Sequence, residues 1–78
     1  MIRFRLKELI ADLEFREGRV VLLQEITQAT GIHRATLSKI ANERGYNTGT
    51  ENVDRLCQFF KCRVDQLLEV IPDEQLKR

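Results

Sequence analysis

Residues 23–45 have the sequence LQEITQATGIHRATLSKIANERG, and Gly31 separates two segments whose apolar residues recur every three or four positions. Such spacing is typical of amphipathic helices. A glycine within a turn of about three residues lets two helices meet at a steep angle. The pattern therefore predicts a helix-turn-helix, with a first helix over residues 23–30 and a second over about residues 33–44.

The packing between these two helices follows from their apolar residues. We expect Ile26 and Ala29 to be the inward residues of the first helix, with the small Ala29 permitting a close approach. Leu37 and Ile40 are their counterparts on the second helix, and Ile32 fills the corner. Because an α-helix repeats every 3.6 residues or about 100° per residue, this packing turns the opposite side of the second helix to solvent.

The exposed side of the second helix carries groups suited to the edges of base pairs. Long cationic side chains donate to guanine O6 and N7, whereas methyl groups of alanine or threonine contact the thymine methyl. These properties predict contacts with DNA bases in the major groove. The candidate base contacts are Arg34, Ala35, Thr36, Ser38 and Lys39.

Polar residues at and around the second helix are candidates for phosphate contacts. The N-terminus of a helix presents free N–H groups and the positive end of the dipole, which favour an anion nearby. For His33 the alternative is a surface helix cap, and for residues 46–48 it is a plain structured turn. The candidate phosphate contacts in this region are His33, Asn42, Tyr46, Asn47 and Thr48.

The N-terminal region predicts one more helix. Apolar residues spaced by three or four positions indicate a helix from about Phe4 to Arg16, and Gly18 is a natural stop. Alternation of apolar and basic residues over Met1 to Arg5 is also compatible with a short strand.

Two further helices are predicted after the loop at residues 45–50. Thr48 and Thr50 are both candidate caps, and Thr48 with Glu51 matches a capping box for a helix that runs to about Phe60. Val64, Leu67, Leu68 and Ile71 then have the spacing of a fifth helix, which Pro72 ends because proline cannot continue the backbone bonding. The predicted fold is an all-α, compact bundle of about five short helices that contains the helix-turn-helix.

The composition is that of an ordinary soluble domain. The chain has 78 residues, of which 42% are hydrophobic and 32% charged, and a net charge of +1 at pH 7. This length suits a single small domain over residues 1–72, followed by a polar C-terminal tail over residues 73–78. No apolar run approaches the roughly 20 residues of a transmembrane helix, and no signal peptide is recognisable. We expect a cytoplasmic protein without a membrane partner.

Neither a metal site nor an enzyme is indicated. Cys57 and Cys62 lack C-x-x-C spacing, and His33 is the only histidine. We expect two reduced, mostly buried thiols. No nucleophile–base pair, glycine-rich phosphate loop or strongly placed pair of carboxylates is present, so we expect no catalytic residues, no cofactor and no small-molecule substrate.

Residues 23–45 resemble the helix-turn-helix of the phage-repressor and Cro-like (Xre) family of bacterial regulators. The resemblance extends through the Val53/Leu56/Phe60 helix and the KCRVDQLL segment of residues 61–68. It implies a lambda-repressor-like fold, in which Arg34, Ala35 and Lys39 contact bases and Asn42 contacts phosphate. The sequence departs from the family pattern in three places. The usual phosphate-binding polar residue falls near Leu23, so the resemblance implies the neighbouring Gln24 as the phosphate contact. The usual alanine four residues before the glycine is Thr27, and the second helix runs about a turn longer before Gly45 than in the shortest members.

Two functions are compatible with these observations. The first is a sequence-specific transcriptional regulator that binds double-stranded DNA, as a homodimer on palindromic or near-palindromic sites. The second is a protein-interaction module, such as an antitoxin-like partner, that uses the same fold without contacting bases. Ile2, Phe4, Val70 and Ile71 would supply an apolar surface for such a partner or for a homodimer. The operator sequence, and whether the protein represses or activates, cannot be predicted from these residues.

Overall fold

A computed structural model describes residues 1–72. The predicted polar tail, residues 73–78, lies outside the described residues. Five helices and two short strands follow one another along the described part. In chain order they are β1 (Ile2–Phe4), α1 (Leu6–Glu17), α2 (Leu23–Thr30), α3 (Arg34–Asn42), α4 (Thr50–Phe60), α5 (Val64–Leu67) and β2 (Leu68–Val70).

One apolar core joins all five helices. Its members have 5% or less of their surface exposed, and no charged or polar residue among residues 1–72 is buried to that degree. The amphipathic spacing of the sequence accounts for this core, because each helix contributes at least one residue from its apolar stripe. The core consists of Leu6, Val21, Ile26, Ile32, Leu37, Ile40, Leu56, Phe60 and Leu67.

The helix-turn-helix prediction is confirmed in its helices and its turn. Helix α2 begins and ends at the predicted residues, and Gly31 after it has a φ of 78°, which places it in the left-handed region that favours glycine. Ile26 and Leu37 are fully buried, and Ile40 is 2% exposed. The expected role of Ala29 is wrong. Ala29 is exposed, because the inward stripe of α2 is completed by the half-buried Thr27 instead.

The two chain ends of the described part form a ribbon. Strands β1 and β2 pair in antiparallel fashion, with Ile2 opposite Val70 and Phe4 opposite Leu68. Backbone bonds extend the pairing beyond the strands, since the N–H of Ile71 donates to the carbonyl of Met1 over 2.8 Å. The strand considered for residues 1–5 is thus confirmed. The prediction of a helix from Phe4 is wrong at its first residues, since α1 begins at Leu6.

The predicted fifth helix is wrong beyond its first turn. Helix α5 ends at Leu67, and residues 68–70 are strand β2 rather than a continuation toward Pro72. The spacing of apolar residues in this segment fits a helix, but pairing with β1 supplies partners for backbone groups that a longer helix would otherwise have bonded internally. The bundle prediction therefore holds, with a two-stranded ribbon added to it.

Two other helix ends differ from their predictions. Helix α3 ends at Asn42 rather than near residue 44, because Glu43 is already in an extended conformation with a ψ of 125°. The capping box predicted for α4 is wrong, since Gly49 occupies the cap position and no side chain bonds there. The hydroxyl of Thr48 instead accepts a hydrogen bond from the side-chain amide of Asn52 over 2.9 Å.

Candidate DNA-binding interface

Helix α3 has one buried side and one open side. Leu37 and Ile40 fix the buried side in the core. Of the five predicted base contacts, Arg34, Ala35 and Lys39 are exposed, whereas Thr36 and Ser38 are half-buried. The structure thus brings three of the candidates to the open side of one helix and places the other two at its margins.

The charges of α3 set it apart from the other helices. Its nine residues include Arg34 and Lys39 and no carboxylate. Each of the other four helices has an acidic residue in its first turn, where a negative charge compensates the helix dipole. Among the described residues, α3 alone has an uncompensated N-terminus. The acidic residues of the other first turns are Glu8, Glu25, Glu51 and Asp65.

Besides Arg34 and Arg44, residues 1–72 contain six arginines, and four of these six have acidic neighbours. The four form ion pairs, in which each guanidinium lies against one or two carboxylates. These arginines are Arg3, Arg19, Arg55 and Arg63. Over the same part of the chain Arg34, Lys39 and Arg44 have no carboxylate within ion-pairing distance. The cations on and beside α3 therefore remain available for an external anion.

Arg44 is a candidate that the sequence reasoning missed. It is exposed and follows the end of α3, in the turn before Gly45. Arg44 also lines an open cavity of about 290 Å³ between this turn and the N-terminal segment, together with Lys7 and Asn42. The sequence did contain a signal for it, since Arg44 is a positive charge at the end of the second predicted helix.

The N-terminus of α3 lies beside the N-terminal part of α2. Gln24, in the first turn of α2, and Arg34, the first residue of α3, both line a shallow cavity of about 340 Å³. Both side chains are exposed. The structure therefore brings together one predicted phosphate contact and one predicted base contact from different helices.

His33 and Asn42 lie at opposite ends of α3. His33 is exposed and occupies the cap position, but its side chain makes no capping bond. Asn42 is exposed, and its amide donates to the backbone carbonyl of Ser38 over 2.9 Å. That bond holds the Asn42 side chain against its own helix. The side-chain oxygen of Asn42 accepts no hydrogen bond from residues 1–72.

The predicted contacts in the turn after α3 are not equivalent. Tyr46 is half-buried and packs against the core. Thr48 is half-buried and accepts the bond from Asn52. Asn47, between them, is exposed. The turn thus has a fixed frame, and Asn47 is its most accessible predicted phosphate contact.

Residues 1–72 contain no group of three or more histidine, cysteine or acidic side chains arranged to hold a metal ion. None of the helices in that range is long and apolar enough to cross a membrane. The functional interpretation rests on the open side of α3, where Arg34 and Lys39 are exposed and have no carboxylate partner among residues 1–72.

The fold and this site define a helix-turn-helix protein. The sequence model of the Cro/C1-type HTH DNA-binding domain matches residues 5–73. The chain belongs to this family, and the resemblance seen in the sequence is confirmed. Comparisons with curated proteins and with solved structures give no match.

Proposed function

We propose that this protein is a sequence-specific transcriptional regulator that places α3 in the major groove of double-stranded DNA. The main support for this proposal is the open side of α3, which has cations without an acidic partner among residues 1–72 and an N-terminus without a carboxylate. An anionic duplex compensates both features, and guanine edges are good acceptors for Arg34 and Lys39. Residues 1–72 constitute the DNA-binding domain in this proposal, and its place of action is the cytoplasm.

The proposed base contacts are Arg34, Ala35, Thr36, Ser38 and Lys39. The surrounding candidates make the phosphate contacts that hold α3 in register, since such contacts position a protein without specifying sequence. The proposed phosphate contacts are His33, Gln24, Asn42, Tyr46, Asn47 and Thr48. Arg44 joins them, because it is exposed and unpaired within residues 1–72. No catalytic step is part of this function.

Selection of binding sites from random DNA, followed by titration of the selected duplex, tests the proposal. We expect Arg34→Ala to lose about 1–3 kcal/mol of discrimination between the selected site and a site altered at one base pair. The matched control is Arg63→Ala. Arg63 is also an exposed arginine, but it lies at the start of α5, away from α3, and is paired with Asp65. If the two variants bind the selected site equally well, Arg34 has no role in recognition.

Lys39 can be tested by the salt dependence of binding. If Lys39 contacts a base, Lys39→Ala relaxes the preference at one position of the selected site. A phosphate contact instead gives a uniform loss across sequences and a salt slope that is smaller by about 1. A variant with unchanged affinity, preference and slope would contradict both roles.

We further propose that two copies bind palindromic or near-palindromic sites. Recognition helices of such dimers lie roughly 34 Å apart, which corresponds to one turn of DNA. Ile2 and Val70 supply the apolar contact, because they lie opposite each other in the ribbon and are 42% and 72% exposed. Light scattering on DNA-bound protein tests this arrangement, with Val70→Glu expected to yield one protein per site. If Val70→Glu still binds with two proteins per site, the ribbon is not part of the dimer interface.

The alternative function, a protein-interaction module of the antitoxin type, is favoured by the same exposed apolar pair. A complex with protein depends weakly on salt when it is held by apolar contacts, whereas DNA binding falls steeply with salt. Two results together would support the alternative over the regulator. Selection from random DNA would enrich no sequence, and binding to duplex DNA would not depend on its sequence.

A further inference from the structure

Two free cysteines meet at the C-terminal end of α4, and neither belongs to the proposed DNA interface. Cys57 lies in the last turn of this helix, and Cys62 follows it by five residues. Both are half-buried rather than mostly buried as expected, and both pack against the core. They are therefore partly accessible to a small reagent while being held in the folded structure.

The backbone fixes these cysteines close together. The N–H of Cys62 donates to the carbonyl oxygen of Cys57 over 3.0 Å, and the intervening Lys61 has a φ of 55°. This is the bond of a Schellman motif, in which the side chains at the same two positions commonly touch. Standard bond lengths then keep the two Cα atoms within about 7 Å of each other. Disulfides span Cα distances of about 4.4–6.8 Å, so the turn has nearly the required geometry.

The electrostatics of Cys57 agree with this proximity. Burial raises the pKa of the Cys57 thiol, and the neighbouring Cys62 raises it further. An effect of one thiol on the other requires that their sulfurs be near each other. Because the thiolate is the nucleophile, the raised pKa of Cys57 makes its attack on a disulfide slower than that of a free thiol at the same pH.

We propose that Cys57 and Cys62 form a thiol–disulfide exchange site that reacts with small disulfides of the glutathione class. The thiolate of one cysteine attacks a sulfur of the oxidised reagent, which forms a mixed disulfide and expels one reduced thiolate. The second cysteine then attacks the protein sulfur of that mixed disulfide and expels the other reduced thiolate. The two protons of the cysteines pass to these leaving groups, the protein is oxidised by two electrons, and the reagent is reduced by two.

The experiment equilibrates the full chain with mixtures of oxidised and reduced glutathione, followed by acid quenching, alkylation of free thiols and intact-mass measurement. We expect a monomer that has lost two hydrogens and carries neither glutathione nor alkyl groups, in a proportion that rises with the oxidised fraction. Persistence of two alkylated thiols in every mixture would overturn the proposal. So would accumulation of mixed disulfides or of cross-linked chains as the main oxidised product.

Single-cysteine variants separate a paired site from two independent thiols. In Cys62→Ser and in Cys57→Ser, the remaining cysteine has no partner, so the oxidised product should be the glutathione adduct alone. Circular dichroism of each variant checks that the helical fold is retained. The main measurement uses the unmodified chain, so its outcome does not depend on whether these variants fold, and it does not depend on DNA binding.

Discussion

The α2–α3 unit, which is the helix-turn-helix, and the β1–β2 ribbon are held together by different kinds of interaction. In the α2–α3 unit, Ile26 and Leu37 are completely buried between the helices, and Gly31 makes the turn between them. In the ribbon, the pair formed by Ile2 and Val70 is largely exposed, and the strands are held by backbone bonds. The first region therefore owes its shape to packing, and the second owes its shape to pairing between distant parts of the chain.

This difference matches the proposed roles of the two regions, which are DNA binding by α3 and contact with a second copy by the ribbon. A helix that must present Arg34 and Lys39 at fixed positions requires a rigid support, which the buried side of α3 supplies. An exposed apolar pair contributes little to the stability of a single copy but remains available to a partner. The comparison thus predicts that substitutions in the two regions will affect different properties.

The largest contrast is expected between the core of α3 and the surface of the ribbon. Leu37→Ala removes a fully buried side chain and should lower the free energy of unfolding by about 3 kcal/mol. Val70→Ala changes a side chain that is 72% exposed, and we expect it to cost about 0.5 kcal/mol or less. Urea denaturation of both variants measures this contrast. Equal losses would show that the ribbon is part of the folding core.

A second contrast concerns the turns that follow α2 and α4. Gly31 and Lys61 both have positive φ values, 78° and 55°. A Cβ added at Gly31 would lie 3.7 Å from the Arg55 guanidinium, an ordinary contact, so the cost arises from the backbone alone. We expect Gly31→Ala to destabilise by about 1–2 kcal/mol and Lys61→Gly to stabilise by up to about 1 kcal/mol.

Thermal and urea unfolding of these two variants give the measurement, and their opposite signs are the essential result. Gly49→Ala provides the matched control, because Gly49 has a φ of −75° and open space where a Cβ would be added. Gly49 is the N-cap residue of α4, where alanine is less favourable than glycine, so the effect of Gly49→Ala should be about 0.5 kcal/mol and involve no left-handed strain. If Gly31→Ala has no larger effect than this control, the left-handed turn is not what shapes the α2–α3 unit.

The same two regions show how far the sequence could predict the structure. The bounds of α2 agree with the helix predicted over about residues 23–30, because helical spacing and Gly31 are local signals. Strand β2 was missed, since Leu67, Leu68 and Ile71 also fit a helix, and the choice depends on pairing with β1 at the other end of the chain. Propensity is a weak guide where tertiary pairing decides.

The candidate site divides in a similar way. Exposure of Arg34 and Lys39 followed from the buried stripe of α3, which is a local pattern. The bond between Asn42 and Ser38 and the exposure of Ala29 depend on where each helix ends and which side it turns to its neighbours. Ion pairing of Arg3 with Glu69 depends on the ribbon. Such details could not be predicted before the strands were placed.

The smallest expected effect is the pH dependence of two ion pairs. Arg19 donates two hydrogen bonds of 2.7 Å to Glu25 and lowers the pKa of that carboxyl. Arg63 donates bonds of 3.0 and 2.8 Å to Asp65 and likewise lowers the pKa of its carboxyl. A lowered pKa in the folded state means that each pair stabilises the protein above the carboxyl's ordinary pKa of about 4 and is lost as pH falls through the folded value. Both pairs are exposed, so salt weakens them.

The two pairs differ in what they connect. Arg19 joins the segment after α1 to the first turn of α2, whereas Arg63 and Asp65 are two residues apart at the start of α5. We expect Glu25→Gln to flatten the acid limb of stability against pH more than Asp65→Asn does, because only the first pair links separate elements. Urea midpoints from pH 7 down to acid unfolding, at low and at high salt, measure the difference. If Asp65→Asn has the larger effect, or if the effect of Glu25→Gln is unchanged at high salt, the Arg19–Glu25 ion pair does not act as a stabilising link between the segment after α1 and α2.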